Sequence, residues 1–577
     1  MNLSIPTVIV VGTGGAGMCA AIEAAKSGAH VYLVTKSLYT HDQYRWASNG
    51  GCTWKTHAFN AAVGPGDSVE AHIEDTLRGG AFANNPDLAR VLCEESVVLV
   101  EWLQSLGLKF EMDGLNQFVT RPFGGCGSPR GVYLEDRLGF YIQKVLVAEL
   151  KRLITSGSVS ILTGLRGIKI LKNSMDQIEG LQTINIDTLE LVDIPGSAII
   201  LADGGGASMY SPSAASFDKT CDGLAMGLKA GAEAIDLEFV QFHPTGLASG
   251  IPTFDGSLVE EAVRFDGAKL INKEGHRFMF DYHPKGETAT RDMVSRGIYS
   301  EILADRCFEN YSVDLDISSC RDVIASKYPA LLERLRQADF DPKDHSILKI
   351  RPTAHYLMGG LRIDAKASCT IPGLFAAGES AGGVHGANRL GGNGLSEALV
   401  FGRIAGKFAA EFSQANKLTD NSSPQVSGTY RVVSGGTHVP ETILNRLRKE
   451  MYFRAGPVRN PKSLSAMSAS LCLMEEESAN LTFSSGSRAS LQIQSAIDLQ
   501  NLLLASKLIV EAALCRKESR GSHYRSDYTE TLSSYTGCSI RCDDSGGFIW
   551  NNFVYSNSEQ KIHPVTPKKG SEIGMTA

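Results

Sequence analysis

The chain opens on an unbroken apolar run, Val8-Ile9-Val10-Val11. Such a run predicts a short strand buried on both faces, as in a parallel sheet. It leads into Gly12-Thr-Gly14-Gly15-Ala-Gly17, then a small-residue helix from Met18 to Ser27 that Gly28 ends, then a second strand, His30-Val-Tyr-Leu-Val34. A further apolar run, Ala198 to Ala202, passes into Gly204-Gly205-Gly206, and Thr290-Arg291-Asp292 reads as the opening of a helix. Between Leu491 and Cys515, the residues Leu499, Leu502, Leu503, Ile509, Val510, Ala513 and Leu514 fall mostly at three- and four-residue spacing. That spacing predicts an amphipathic helix, packed on its neighbours or serving as a docking face for a partner subunit. Leu418 to Gly436 is rich in Ser, Thr, Asn and Gly and reads as a loop or linker. The segment from Gly547 to Tyr555 reads as a late strand, and the polar C-terminus after it as a loose tail. No internal repeat is visible.

Length and composition narrow the class. At 577 residues the chain should hold about three domains. Its 43% apolar and 21% charged content is that of a globular protein. The net charge of −7 argues against a wholesale nucleic-acid binder. No apolar window is long enough for a transmembrane helix. The start has no basic n-region, and cleavage after its apolar run would destroy the glycine cluster, so no signal peptide is expected. The 12 cysteines form neither CxxC nor CxxCH, which indicates no zinc, haem or iron–sulfur site of the chain's own. Reduced thiols and a cytoplasmic location, with membrane association only through a partner, are the expectation.

The order strand, GxGxxG, helix, strand is the context in which such a glycine cluster binds a dinucleotide. Glycines let the backbone approach the pyrophosphate, and the helix N-terminus faces its charge. The second strand ends in Thr35-Lys36 rather than an acid, so this segment leaves NAD and FAD both open. Two more glycine clusters, Pro372 to Glu379 and Gly386 to Asn393, lie far downstream. If all touch one cofactor, the binding domain is interrupted by an insertion, an arrangement that favours FAD. Between the clusters lie Gln241-Phe-His243-Pro-Thr-Gly246, Val259-Glu260-Glu261-Ala-Val-Arg264, Arg291, Arg351-Pro-Thr-Ala-His355-Tyr-Leu-Met-Gly359-Gly360 and Asn388-Arg389. Histidines and arginines in an acidic chain suit the binding of a small dianionic acid and the delivery of a proton to it, since the arginine fork matches a carboxylate.

With these motifs in view, the chain resembles the flavoprotein subunit family of fumarate reductase and succinate dehydrogenase, which includes L-aspartate oxidase. The matching pieces are the N-terminal glycine cluster, Arg121-Pro-Phe-Gly-Gly125, the segments around His243 and His355, His385-Gly-Ala-Asn-Arg-Leu-Gly-Gly-Asn393, and Glu518-Ser-Arg-Gly-Ser-His523 with Arg525 and Asp527. They run in order along nearly the whole chain. The resemblance implies an α/β fold: a split Rossmann-like FAD-binding domain with an inserted α+β capping domain and a C-terminal helical domain. The divisions expected are 1–235 and 346–435 for the FAD-binding domain, 236–345 for the cap and 436–577 for the helical domain with its tail. The resemblance further implies that His243, His355 and Arg389 hold the substrate carboxylates. Arg291 would be the proton donor, with Glu261 and Arg264 relaying the proton and Phe123 packing near the substrate. FAD would be held by Gly12, Gly14, Gly15, Gly17, Lys36, Asn49, Gly50, Gly51, Asp222, Glu379, Arg389 and Leu395. No metal ligand is implied. Electrons would pass to or from an iron–sulfur or other electron-transfer partner, a free flavin, a quinone or oxygen.

Three positions depart from the family pattern. Tyr44 stands where covalent members carry the flavin-linking histidine, and His41 is three residues out of register, so non-covalent FAD is expected. Glu260 stands where a threonine usually meets a substrate carboxylate; an anion there should repel a dicarboxylate unless protonated or turned away, and could instead hold an ammonium or hydroxyl. Asp203 replaces a threonine in the middle glycine loop, with no evident reason. The leading expectation is a flavin-dependent reductase or dehydrogenase of a C4-dicarboxylate or close relative. Behind it stand an amino-acid oxidase similar to L-aspartate oxidase, making an imine and hydrogen peroxide, and an FAD-binding scaffold without small-acid chemistry. Gly391-Gly392-Asn393 favours the fumarate reductase branch.

Overall fold

The computed structural model describes residues 6–37, 52–418, 423–430, 435–484, 488–533, 537–542 and 548–553. A five-stranded parallel sheet runs in the order Leu374–Ala376, Ala198–Leu201, Thr7–Val11, His30–Thr35, Val159–Thr163. Val8, Ile9, Val10, Ile199 and Ile200 have no solvent exposure, which is why these strands read as continuous apolar runs. The helix Gly15–Lys26 packs against the long helix Asn393–Ala415. A side chain at Gly402 or Gly406 would fall on the main chain at Ala16 or Ala20, so the small residues set this close crossing.

The strand Leu374–Ala376 joins the sheet only after a long excursion, so one parallel sheet is assembled from both sides of an insertion. The inserted part is an antiparallel sheet ordered Val240–Leu247, Ile347–Leu357, Val313–Asp316, Lys269–Ile271, with the helix Arg291–Leu303 against it. Its strand Ile347–Leu357 lies beyond the division expected at residues 345 and 346, so the antiparallel sheet reaches into the segment expected to be the second part of the FAD-binding domain.

Toward the C-terminus the helices Pro440–Arg454, Pro461–Ser478 and Arg488–Cys515 pack on one another. The last covers the stretch where an amphipathic helix is expected, but from Asn501 to Ala513 it is buried or half-buried on every side, because neighbouring helices enclose it, so it has no polar outer face there. The expected late strand is present as Phe548–Phe553, paired with Gly537–Cys542, which in turn joins Ala234–Ile235. The Ser/Thr/Asn/Gly-rich stretch 418–436 is not wholly a loop: Gln425–Thr429 forms an edge strand against Glu190–Pro195. A buried ionic knot fastens the C-terminal part to the cap. Arg516 binds Glu238 at 2.5 Å and Glu518 at 2.7 Å, and Arg520 binds Glu518 at 2.9 Å. Breaking such a buried pair on one side leaves an uncompensated charge.

Candidate active site

One cavity of about 970 Å³ runs from the glycine cluster after the first strand to the cap. At the first end, Gly12 has φ of +104°, and a side chain there would strike the Ala202 carbonyl. A side chain at Gly17 would strike the Gly12 carbonyl, which fixes the helix tight against the loop. Gly14 differs: it lines the cavity, and a β-carbon there would meet nothing within 4 Å, so the bare backbone faces open space. Gly15 lines the cavity too, at the N-terminus of a twelve-residue helix. This is a cradle suited to a pyrophosphate.

Further along, Lys36 lies 3.0 Å from Asp222 and Arg166 lies 2.5 Å from it. Burial alone would raise the Asp222 carboxyl, but the charges of Arg166 and Lys36 hold it well below the usual carboxylate range. Glu379 pairs with Lys219 and accepts from the Leu357 main-chain N–H at 3.0 Å. Lys36, Asp222, Glu379, Arg389 and Leu395 all line the same cavity as the glycines. Asn49, Gly50 and Gly51 lie outside the described residues, as do His41 and Tyr44. Asp203 braces the middle glycine loop. Its Oδ2 accepts from Gly223 N–H at 2.5 Å, in the first turn of the helix Asp222–Lys229, and Ser380 Oγ lies 3.3 Å from its Oδ1.

The cap end gathers the six residues expected to do the chemistry. His243 and His355 stand on neighbouring antiparallel strands with ring centroids 5.7 Å apart. Both are held neutral, by burial first and then by nearby arginines, Arg291 for His243 and Arg389 for His355. Thr245 gives its main-chain N–H to His243 Nδ1 at 3.3 Å and its hydroxyl proton to the Val259 carbonyl at 2.7 Å. Nδ1 is therefore the acceptor, which leaves the proton on Nε2 as a donor for a ligand.

Arg389 donates to Gln241 Oε1 at 2.9 Å and stacks on the Tyr356 ring, 4.3 Å from its centroid. Arg291 opens its helix as expected, and its Nε donates to Glu261 Oε2 at 2.6 Å. Arg264 is fully buried, with Nη2 3.9 Å from Glu261 Oε1 and Nη1 donating to the Glu287 carbonyl at 2.5 Å. Its Nε and Nη2 make no hydrogen bond among the described residues, and burial lowers its pKa to about 10. Burial would raise Glu261, but Arg291 and Arg264 hold it below its ordinary value. Phe123 packs where a side chain at Gly391 would be, beside Arg291.

Sequence reasoning missed several participants. Gln241 bridges the two arginines, 3.4 Å from Arg291 Nη1 as well as 2.9 Å from Arg389 Nη2; it sat unremarked in the motif ending at Gly246. Asn60 holds the Gly391 carbonyl and Asn393 Oδ1, each at 2.7 Å; a polar residue in the apolar run Ala58-Phe59-Asn60 was its only signal. His57 and Arg334, partners of Glu260 at 2.9 and 2.6 Å, had none, being far from it in sequence.

A parallel sheet interrupted by a cap, with a glycine cradle and a cluster of histidines and arginines on one cavity, defines an FAD-dependent oxidoreductase, and the comparisons agree. The FAD binding domain model matches residues 7–395, and the model for the fumarate reductase flavoprotein C-terminal region matches residues 444–564. The chain belongs to the fumarate reductase and succinate dehydrogenase flavoprotein family. It is 37% identical to one subunit of the fumarate reductase (CoM/CoB) of Methanothermobacter marburgensis, over 91% of this chain and 94% of that one. It is 32% identical to the L-aspartate oxidase of a Synechocystis species, with coverage of 91% and 94%. A variant of the E. coli quinol fumarate reductase chain FrdA superposes with a TM-score of 0.86 at 26% identity, covering 96% of this chain and 97% of that chain. No helix among the described residues is long and apolar enough to cross a membrane.

Proposed function

We propose that this protein reduces the carbon–carbon double bond of a small unsaturated dicarboxylic acid of the fumarate class. The observation that carries this reading is the line Arg291–Glu261–Arg264 beside two neutral histidines and Arg389, on the cavity that also holds the glycine cradle. The residues fit FAD: Gly12, Gly14, Gly15 and Gly17 would take the pyrophosphate, and Lys36, Asp222, Glu379, Arg389 and Leu395 line the remaining length. Bound there, FAD supplies or accepts the electron pair as hydride.

The protein's own part is to grip the acid and move one proton. His243 offers Nε2–H, His355 adds a second neutral imidazole, and Arg389 offers a guanidinium fixed by Gln241. Neutral donors beside arginines hold carboxylates without adding groups that titrate near neutrality. Arg291 gives its proton to the alkene carbon that receives no hydride. Glu261 accepts the Nε hydrogen bond on its far side and returns a proton, and Arg264 stands behind Glu261 as the next member. A guanidinium ordinarily keeps its proton. Burial and incomplete hydrogen bonding make Arg264 a readier participant than an exposed arginine.

The 32% identity to an L-aspartate oxidase gives a second reading, oxidation of an amino acid. Glu260 is where an ammonium would have been read. Its Oε1 already meets Arg334 and His57, and its Oε2 is buried without a partner among the described residues, so an ammonium arriving there would join two cations on one carboxylate. This supports the acid reductase over the oxidase. Electrons would come through a separate carrier, an iron–sulfur partner being the first candidate. The test is to reduce the flavin of the holoenzyme without air and add fumarate. Return of the visible flavin band supports the reading; no reoxidation, together with peroxide formation from aspartate in air, replaces it with the oxidase.

A further inference from the structure

Glu260 caps the short helix Glu261–Phe265, His57 precedes the strand Ala58–Asn60, and Arg334 sits in the helix Pro329–Gln337. All three line the cavity, although they come from three separate parts of the chain. Glu260 Oε1 accepts from Arg334 Nη2 at 2.6 Å and lies 2.9 Å from His57 Nε2. The other ring nitrogen, His57 Nδ1, lies 2.5 Å from the Asp136 carbonyl oxygen. Both ring nitrogens therefore face acceptors. A neutral imidazole carries one N–H and satisfies one of them, whereas the imidazolium satisfies both.

The corner then holds one anion and two cations, a net charge of +1, which falls to zero when His57 loses its proton. Glu260 does not offer its second oxygen to a ligand, because Oε2 is buried. An unaccompanied carboxylate here would repel the dianion that His243, His355 and Arg389 are placed to grip.

We propose that His57, held as an imidazolium against Glu260, is a specificity-determining residue of this site: together with Arg334 it turns a repulsive acid into a cationic corner and so admits a dicarboxylate. This rests on the dicarboxylate reading and deepens it. The groups around the imidazole agree. Glu260 and Arg334 face it from the cap. On the other side is the Asp136 main chain, whose carboxylate is occupied by the Ala330 N–H at 2.7 Å and stands 3.8 Å from Arg137. Lys55, two residues before it, is exposed at the cavity edge and adds to the positive field. Burial alone would lower the His57 pKa, but the hydrogen bond and charge of Glu260 overcome this and raise it above the ordinary value.

The experiment is a double-mutant cycle on the FAD-loaded protein, read as the Kd of malonate from the change in the visible flavin spectrum. His57→Gln should weaken malonate about tenfold in the wild-type background, the scale of one nearby charge. In the Glu260→Gln background the same change should matter less than about twofold, because the anion it offsets is gone. Wild-type affinity should fall as pH rises through neutrality, and His57→Lys should keep its affinity over that range. An equal loss in both backgrounds, or none in either, overturns the proposal while leaving the dicarboxylate reading intact. Failure of wild-type protein to bind malonate, with no fumarate-driven reoxidation, overturns both.

Discussion

Replacing Arg291 by lysine tests the proton-transfer reading most directly. Alanine would leave Glu261 buried without its closest cation, so a loss of activity could come from misfolding. Lysine keeps the charge but has one nitrogen where arginine has three. Arg291 uses Nε on Glu261 at 2.6 Å, reaches toward Gln241 with Nη1 at 3.4 Å, and has Nη2 beside Gly391. A single ammonium cannot hold Glu261 and also present a proton to the substrate. The expected loss is that of a positioned general acid, roughly 10²- to 10⁴-fold, or about 3–5 kcal/mol of transition-state stabilisation. The assay is single-turnover reoxidation of the reduced, anaerobic holoenzyme by fumarate. The flavin-to-protein ratio and the malonate Kd are measured alongside, and both should stay near wild type because the glycine cradle and the histidines proposed to hold the carboxylates are untouched. A rate within about threefold of wild type would remove Arg291 from the acid role. A rate loss matched by a loss of malonate binding would make it a binding group instead.

Three further outcomes are expected. Gly14→Val should fold, since a β-carbon there meets nothing within 4 Å, yet lose FAD by filling the cradle; flavin absorbance and thermal unfolding of the purified protein check both halves. Acid precipitation should leave the flavin in the supernatant, and a yellow pellet would show a covalent link. Asp203→Asn should raise Tm more at pH 7.5 than at pH 4.5. Burial first, and the neighbouring Asp222 second, lift the Asp203 pKa from 3.8 to about 6, so its contribution to stability is present below the unfolded value and lost as pH rises through the folded one.

How much of this was legible in the sequence depends on how each feature is built. The parallel strands were readable because Val8 to Val11 and Ala198 to Leu201 are buried on both faces, which forces continuous apolar runs. The cradle was readable because a side chain at Gly12 or Gly17 would collide with main chain, so those positions show as glycines. His243, His355, Arg291 and Arg389 stood out through local motifs, and the fold brings them together. The strand Gln425–Thr429 was not readable. It is mostly exposed at a sheet edge, so its side chains carry no burial pattern, and its backbone pairing with Glu190–Pro195 makes it a strand. Nor was the pairing of Glu260 with His57 and Arg334, which depends on the cap's seating against the FAD-binding domain and leaves no spacing signal.

The Glu260 departure then makes physical sense. Burial raises the cost of its charge, yet Arg334 first and His57 next hold its pKa at about 2, so it stays ionised. At the cap end, burial and then the arginines lower the pKa values of His243 and His355, while Glu260 raises that of His57. The same residue type is thus pushed in opposite directions within one cavity, down at His243 and His355 by burial first and arginines second, and up at His57 by Glu260. A threonine would grip a carboxylate at any pH. On the proposed reading, a glutamate that recruits a histidine makes the grip depend on that histidine's proton, and this departure from the family pattern would alter how an acid is held rather than which class of acid is held.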